Sequence, residues 1–173
     1  MKFRLLWAMF VLIQPIFSQT TQPCHTPNHR LFDFWIGDWE VFNPSGKQVG
    51  ENRIIALHEG CVVQENWKSD RVTGTSYNYY NPADSTWHQL YLDNQGTILP
   101  LKGHFADGKM VLFGDRIKSQ KSAGYYRNRI TWQALPEGHV SQKWEIVGDD
   151  DAVLYVAFDG VYKRKTLVLP APK

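Results

Sequence analysis

After Pro27 the apolar residues do not recur at helical spacing. They come in short runs that alternate with polar ones, as where Val140, Gln142, Trp144 and Ile146 interleave with Ser141, Lys143 and Glu145. A period of two is the pattern of a strand with one face buried. Nine turn clusters break these runs: Pro44–Lys47, Glu59–Gly60, Ser69–Thr73, Asn81–Asp84, Asp93–Gly96, Ala106–Lys109, Ile117–Ala123, Leu135–His139 and Gly148–Asp151. Gly, Asn, Asp and Pro supply the positive or preset φ that such turns need. The spacing predicts an all-β chain, a single antiparallel up-and-down β-barrel of about ten strands, because closure removes the exposed sheet edges. Eight strands leave a lumen that side chains just fill, so ten leave room for a small molecule.

Facing can be carried from strand to strand through the hairpins. Starting from Asp107-Gly108, one face collects Leu90, Leu92, Leu99, Leu101, Phe105, Met110 and Leu112, which predicts the interior. The same propagation turns Trp39, Asn52, Glu65, Trp67, Thr75, Tyr77, Tyr79, His88, Asn128, Trp132, Gln142 and Trp144 inward. It places Arg127 and Arg129 outside, and a one-residue slip would move Trp87, Gln89 and Tyr91 to the other face.

Most of these inward residues are packing. The polar ones are the candidate chemistry: Glu65, Asn128 and Gln142 to fix the polar end of a ligand, with Trp67, Tyr77, Tyr79, His88 and Trp144 around it. A buried carboxylate is costly unless paired or protonated. Glu65 therefore reads either as an ordering residue bonded to Tyr77 or Asn52, or as a ligand anchor or general acid/base. His88 reads as a satisfied core residue or as a catalytic or haem-ligating group, and no second feature supports haem. No nucleotide loop, nucleophile elbow or metal-ligand spacing is present, so no cofactor and no metal are expected.

Composition and charge then set the compartment. The chain has 173 residues, 43% hydrophobic and 21% charged, which fits one globular domain. Met1–Arg4 is a short basic stretch, Leu5–Phe17 is apolar apart from Gln14 and Pro15, and Ser18 is a small residue before Gln19. That order is the grammar of a secretory signal, too short to span a bilayer, with an N-terminal anchor as the competing reading. Setting aside Lys2 and Arg4, 17 basic groups face 17 acidic ones, which gives no support to a nucleic-acid or anionic-lipid surface. An exported chain with a single cysteine pair predicts a Cys24–Cys61 disulfide. The expected organisation is a signal peptide at 1–18, an extended segment at 19–30, the barrel at 31–165 and a tail at 166–173. The expected location is periplasmic or secreted, with no stable membrane insertion once the signal is removed.

A longer set of residues carries a resemblance. It comprises Phe32-Asp33-Phe34-Trp35-Ile36-Gly37-Asp38-Trp39, Gly60-Cys61 with Glu65-x-Trp67, Gly74-x-Ser76, Trp87-x-Gln89, Arg129-x-Thr131-Trp132, Gln142-x-Trp144 and Phe158-Asp159-Gly160-x-Tyr162. Over residues 31–164 it resembles a bacterial family of uncharacterised lipocalin-like proteins, whose Gly-x-Trp opening puts a Trp at one barrel end. Gly148-Asp149-Asp150-Asp151 departs from the turn that relatives often carry there. The resemblance implies a lipocalin-like barrel and brings no catalytic residue with it. Two functions follow: a binding protein holding a small, largely apolar molecule in the lumen, or a small isomerase, cyclase or hydrolase using Glu65 or His88.

Overall fold

A computed structural model of the chain describes residues 22–120 and 124–166. Eleven strands form it: β1 (Gly37–Phe42), β2 (Gln48–Leu57), β3 (Val62–Lys68), β4 (Thr73–Asn81), β5 (Thr86–Asp93), β6 (Ile98–Ala106), β7 (Lys109–Phe113), β8 (Ile117–Lys118), β9 (Tyr125–Ala134), β10 (Val140–Gly148) and β11 (Val153–Arg164). Each long strand pairs antiparallel with its neighbour in sequence, β11 returns to β1, and the ring of ten is closed. Only β8 lies outside it, a two-residue strand pairing the start of β9 within the Ile117–Ala123 turn region. The ten-stranded up-and-down barrel read from the turns is the observed fold.

One end of the barrel is stoppered by the segment before β1. Pro27–Arg30 and Asp33–Trp35 are short 3₁₀ turns, so the part of 19–30 that is described is not uniformly extended. Phe32 and Trp35 are fully buried and stack at 5.0 Å, and Phe32 meets Trp132 edge-on at 5.2 Å. Trp39 donates its indole N–H to the Trp35 carbonyl at 2.8 Å, while the Arg164 guanidinium lies 4.1 Å over its ring. The Cys24–Cys61 disulfide is formed, and Arg30 donates to the carbonyls of Cys24 and Gly60, tying this stopper to the β2–β3 turn. No helix among the described residues is long and apolar enough to cross a membrane. The proposed leader, residues 1–18, lies outside the described residues.

The facing assignment covers nine of the ten barrel strands, all but β11; it holds on seven and inverts on β4 and β5. Leu92 pairs with Ile98 and Tyr91 with Leu99, one residue from the expected match. The Asp93 carboxylate caps the N–H groups of Gln95 and Thr97, and Gly96 adopts φ +83°, which lengthens the turn by one residue. A second slip occurs at the other side of the pair. Ser69 closes a four-residue turn onto Val72, so Glu65 faces Ser76 and Trp67 faces Gly74. The two slips cancel beyond β4 and β5, which is why Glu65 keeps its inward side. Tyr77, Tyr79, His88, Leu90 and Leu92 therefore point outward with Thr75, correcting their expected interior position; Ser76, Asn78, Trp87 and Gln89 are buried instead. At β9–β10 the five-residue turn Leu135–His139 puts Gln142 opposite Trp132 and Trp144 opposite Ile130, as the alternation requires.

Candidate functional site

A chamber of about 350 Å³ opens away from the stopper. Its wall is mostly aromatic and aliphatic: Trp67, Tyr91, Trp144, Phe158, Leu99 and Ile130, with Glu65, Gln142 and Tyr162 as polar members. Strand alternation brings these side chains from β3, β5, β6, β9, β10 and β11 to one face. Small residues make space for the large ones. A Cβ on Gly74 would sit 2.5 Å from the Tyr91 hydroxyl, and one on Gly50 would sit 2.4 Å from the Trp67 ring.

Glu65 is 5% exposed and has no ion pair among the described residues. Its Oε1 accepts from Asn52 Nδ2 at 2.7 Å and its Oε2 from Ser76 Oγ at 2.7 Å. Behind Ser76, Asn78 Nδ2 donates to its hydroxyl oxygen and to the Val63 carbonyl, and Gln89 donates to Asn78 Oδ1 at 2.7 Å. On the other side Tyr162 accepts from Asn52 at 3.3 Å and donates to Gln142 Oε1. Loss of hydration raises the Glu65 carboxyl above its ordinary range, against the two hydrogen bonds that favour its ionised form. Burial likewise raises Tyr162 and Tyr91, with the Glu65 charge adding to both.

The remaining predicted site residues divide. Trp67, Gln142 and Trp144 line the chamber with Glu65. Asn128 is buried but does not line it; its Oδ1 accepts the Trp144 indole N–H at 2.7 Å and so orients that ring. Tyr77 and Tyr79 are about two-fifths exposed on the outer face. His88 stacks on Tyr79 at 5.2 Å and contacts Asp84 at 3.0 Å, outside the barrel. Arg127 and Arg129 are outside too, paired with Asp151 and Glu145. Sequence reasoning reached Tyr91 only through the one-residue slip and passed over Ser76, Phe158 and Tyr162 as site residues. Ser76 and Tyr91 sit on the slipped strands, and Phe158 and Tyr162 on a strand whose inward alternation was legible from Phe158-Asp159-Gly160-Val161-Tyr162.

A broader hollow of about 640 Å³ lies over β2–β4, with Glu51, Arg53, Asn66 and Lys68 among its lining. Its charges are largely matched, Lys165 with Glu51 at 2.7 Å and Arg53 with Asp38 at 3.5 Å. No group of three or more His, Cys, Asp or Glu that could hold a metal ion occurs among the described residues. No family model and no curated protein matches this chain.

Proposed function

We propose that this barrel is an exported binding protein that holds a small, largely apolar molecule in its lumen. The observation that carries this reading is a chamber of about 350 Å³ walled by aromatic rings, with a buried carboxylate and a side-chain amide converging on it. A mostly apolar cavity with few, fixed polar groups is the usual composition of a ligand site. The Cys24–Cys61 bond supports an oxidising compartment, periplasmic or secreted. The motif likeness to bacterial lipocalin-like proteins is in keeping with such a role. The catalytic alternative keeps only Glu65 in the lumen, since His88 is bonded to Asp84 and Thr86 on the outer face.

Titration with the neutral fluorescent probe N-phenyl-1-naphthylamine tests the reading. We expect one saturable site with Kd of roughly 1–100 µM, the range set by ligand efficiency for a molecule of that size. Ala157 is exposed at the mouth of the chamber, so Ala157→Trp should weaken binding about tenfold by obstructing entry. No saturable binding, or binding indifferent to Ala157→Trp, would remove the lumen as the site.

A further inference from the structure

The polarity of the chamber restricts what its occupant is. We propose that the lumen selects a protonated organic amine, an apolar ring or chain bearing one ammonium group that seats on the Glu65 carboxylate. This rests on the lumen-binding reading above and names the ligand class of the same site.

Three observations carry it. First, the described lining residues include two carboxylates, Glu65 and Asp93, and no Lys or Arg. Glu65 is the deeply buried one and carries no counter-ion, whereas Asp93 is occupied in capping its turn. A carboxylic or phosphorylated ligand would meet like charge with no cation to offset it, and an ammonium would supply the missing partner. Secondly, the donors that touch Glu65 are already committed to it or to their neighbours. Asn52 and Ser76 donate to Glu65, Tyr162 to Gln142, Gln89 to Asn78 and Trp144 to Asn128. What is left beside Glu65 is acceptor capacity: the second lone pairs of its own oxygens, and Asn52 Oδ1, which is buried with no donor. Two donors of the lining stay open, the Trp67 indole N–H and the Gln142 amide, and both are neutral, so neither offsets a charge on Glu65. Thirdly, Trp67 and Phe158 meet edge-to-face at 5.9 Å, and Trp144 and Tyr91 complete an aromatic wall. Ring faces attract a desolvated cation, most strongly Trp.

The selection should depend on pH through Glu65. The groups set around it are Asn52 from β2, Ser76 from β4, Tyr91 from β5 and Tyr162 from β11. Of these only the two tyrosines titrate, and both are shifted upward, while Asp93 at the turn after β5 is held below its ordinary range, so acidification acts on the site through Glu65, whose proton burial holds to higher pH.

The test uses three probes of one shape, 2-phenylethylamine, 2-phenylethanol and phenylacetate, each displacing N-phenyl-1-naphthylamine between pH 5 and pH 8.5. The amine should bind roughly 10- to 100-fold more tightly than the alcohol at pH 8, the range of a hydrogen bond to a charged group. That preference should shrink on acidification as Glu65 takes up its proton, and Glu65→Gln should abolish both the preference and its pH dependence. The wild-type pH series stands by itself should the variant fail to fold. An amine bound no better than the alcohol, or phenylacetate bound best, overturns the amine assignment and leaves the lumen reading intact. Failure of the reporter dye to bind removes the lumen reading and this inference with it.

Discussion

Glu65 places a carboxylate where little water reaches it, held by Asn52 and Ser76 and by no cation among the described residues. Such an arrangement has a signature in stability. In the unfolded chain this carboxyl titrates near 4.5, and in the barrel burial holds its proton to higher pH. Between those two values the folded state binds more protons than the unfolded one, so this group's contribution to stability falls as pH rises through that window. Glu65→Gln removes the titration. Its denaturation midpoint relative to wild type should therefore move in the variant's favour as pH rises from about 4.5. A gap between the two proteins that stays constant from pH 4 to pH 8 would mean that Glu65 is not desolvated. Outward residues give the contrast: His88→Ala and Tyr79→Ser should leave probe affinity unchanged within about twofold, because both side chains lie outside the barrel wall. A larger loss of affinity would place the site on the outer face.

Among the elements, β4 and β5 are where pattern and structure part company. Strand number, turn positions and the inward side of Trp39, Asn52, Glu65 and Trp67 were legible from alternation and turn chemistry, while a Trp at the barrel end came only as an implication of the Gly-x-Trp likeness. The facing of β4 and β5 was not. Their apolar residues, Leu90 and Leu92 with Tyr77 and Tyr79, lie outside, and Ser76, Asn78 and Gln89 lie inside. A rule that sends the apolar face inward fails where the interior holds a self-satisfied polar network, and such failures fall at candidate sites. The residue gained at the Asp93 turn and the one lost at the Ser69 turn, which together invert the strands, are visible only as side-chain capping, which turn spacing alone does not specify. The corrected register has a consequence that can be checked. In it Gly74 lies under the Tyr91 ring, so Gly74→Ala drives a methyl to within 2.5–2.7 Å of that side chain. We expect a loss of about 1–3 kcal/mol in chemical denaturation, as for other overpacked positions, with weakened probe binding as Tyr91 is displaced. A neutral effect would restore the unslipped register.

For the whole molecule, the barrel is asymmetric end to end: one mouth is sealed by the residues before β1, and the chamber opens toward the other. The seal is fastened covalently, since Cys24 and Cys61 are 37 residues apart and their bond fixes the stopper to the β2–β3 turn. On the chain-entropy account the crosslink contributes about 4 kcal/mol, so a Cys24→Ala, Cys61→Ala protein should lose about that much in denaturant titration. Phe32→Ala should cost about 3–5 kcal/mol by emptying the aromatic stopper. Both losses belong to the sealed end, and probe affinity of the folded fraction should change far less than stability does. A small molecule seated in the chamber lies against two of the tryptophans, which report on it directly. The six indole N–H groups within the described residues divide between the chamber, Trp67 and Trp144, and the sealed end or core, Trp35, Trp39, Trp87 and Trp132. Assigned ¹H–¹⁵N spectra recorded during titration with N-phenyl-1-naphthylamine should move the Trp67 and Trp144 indole signals together and saturably while the other four stay in place. Shifts confined to outer-face amides such as those of Tyr77, Tyr79 and His88, with Trp67 and Trp144 unmoved, would contradict it.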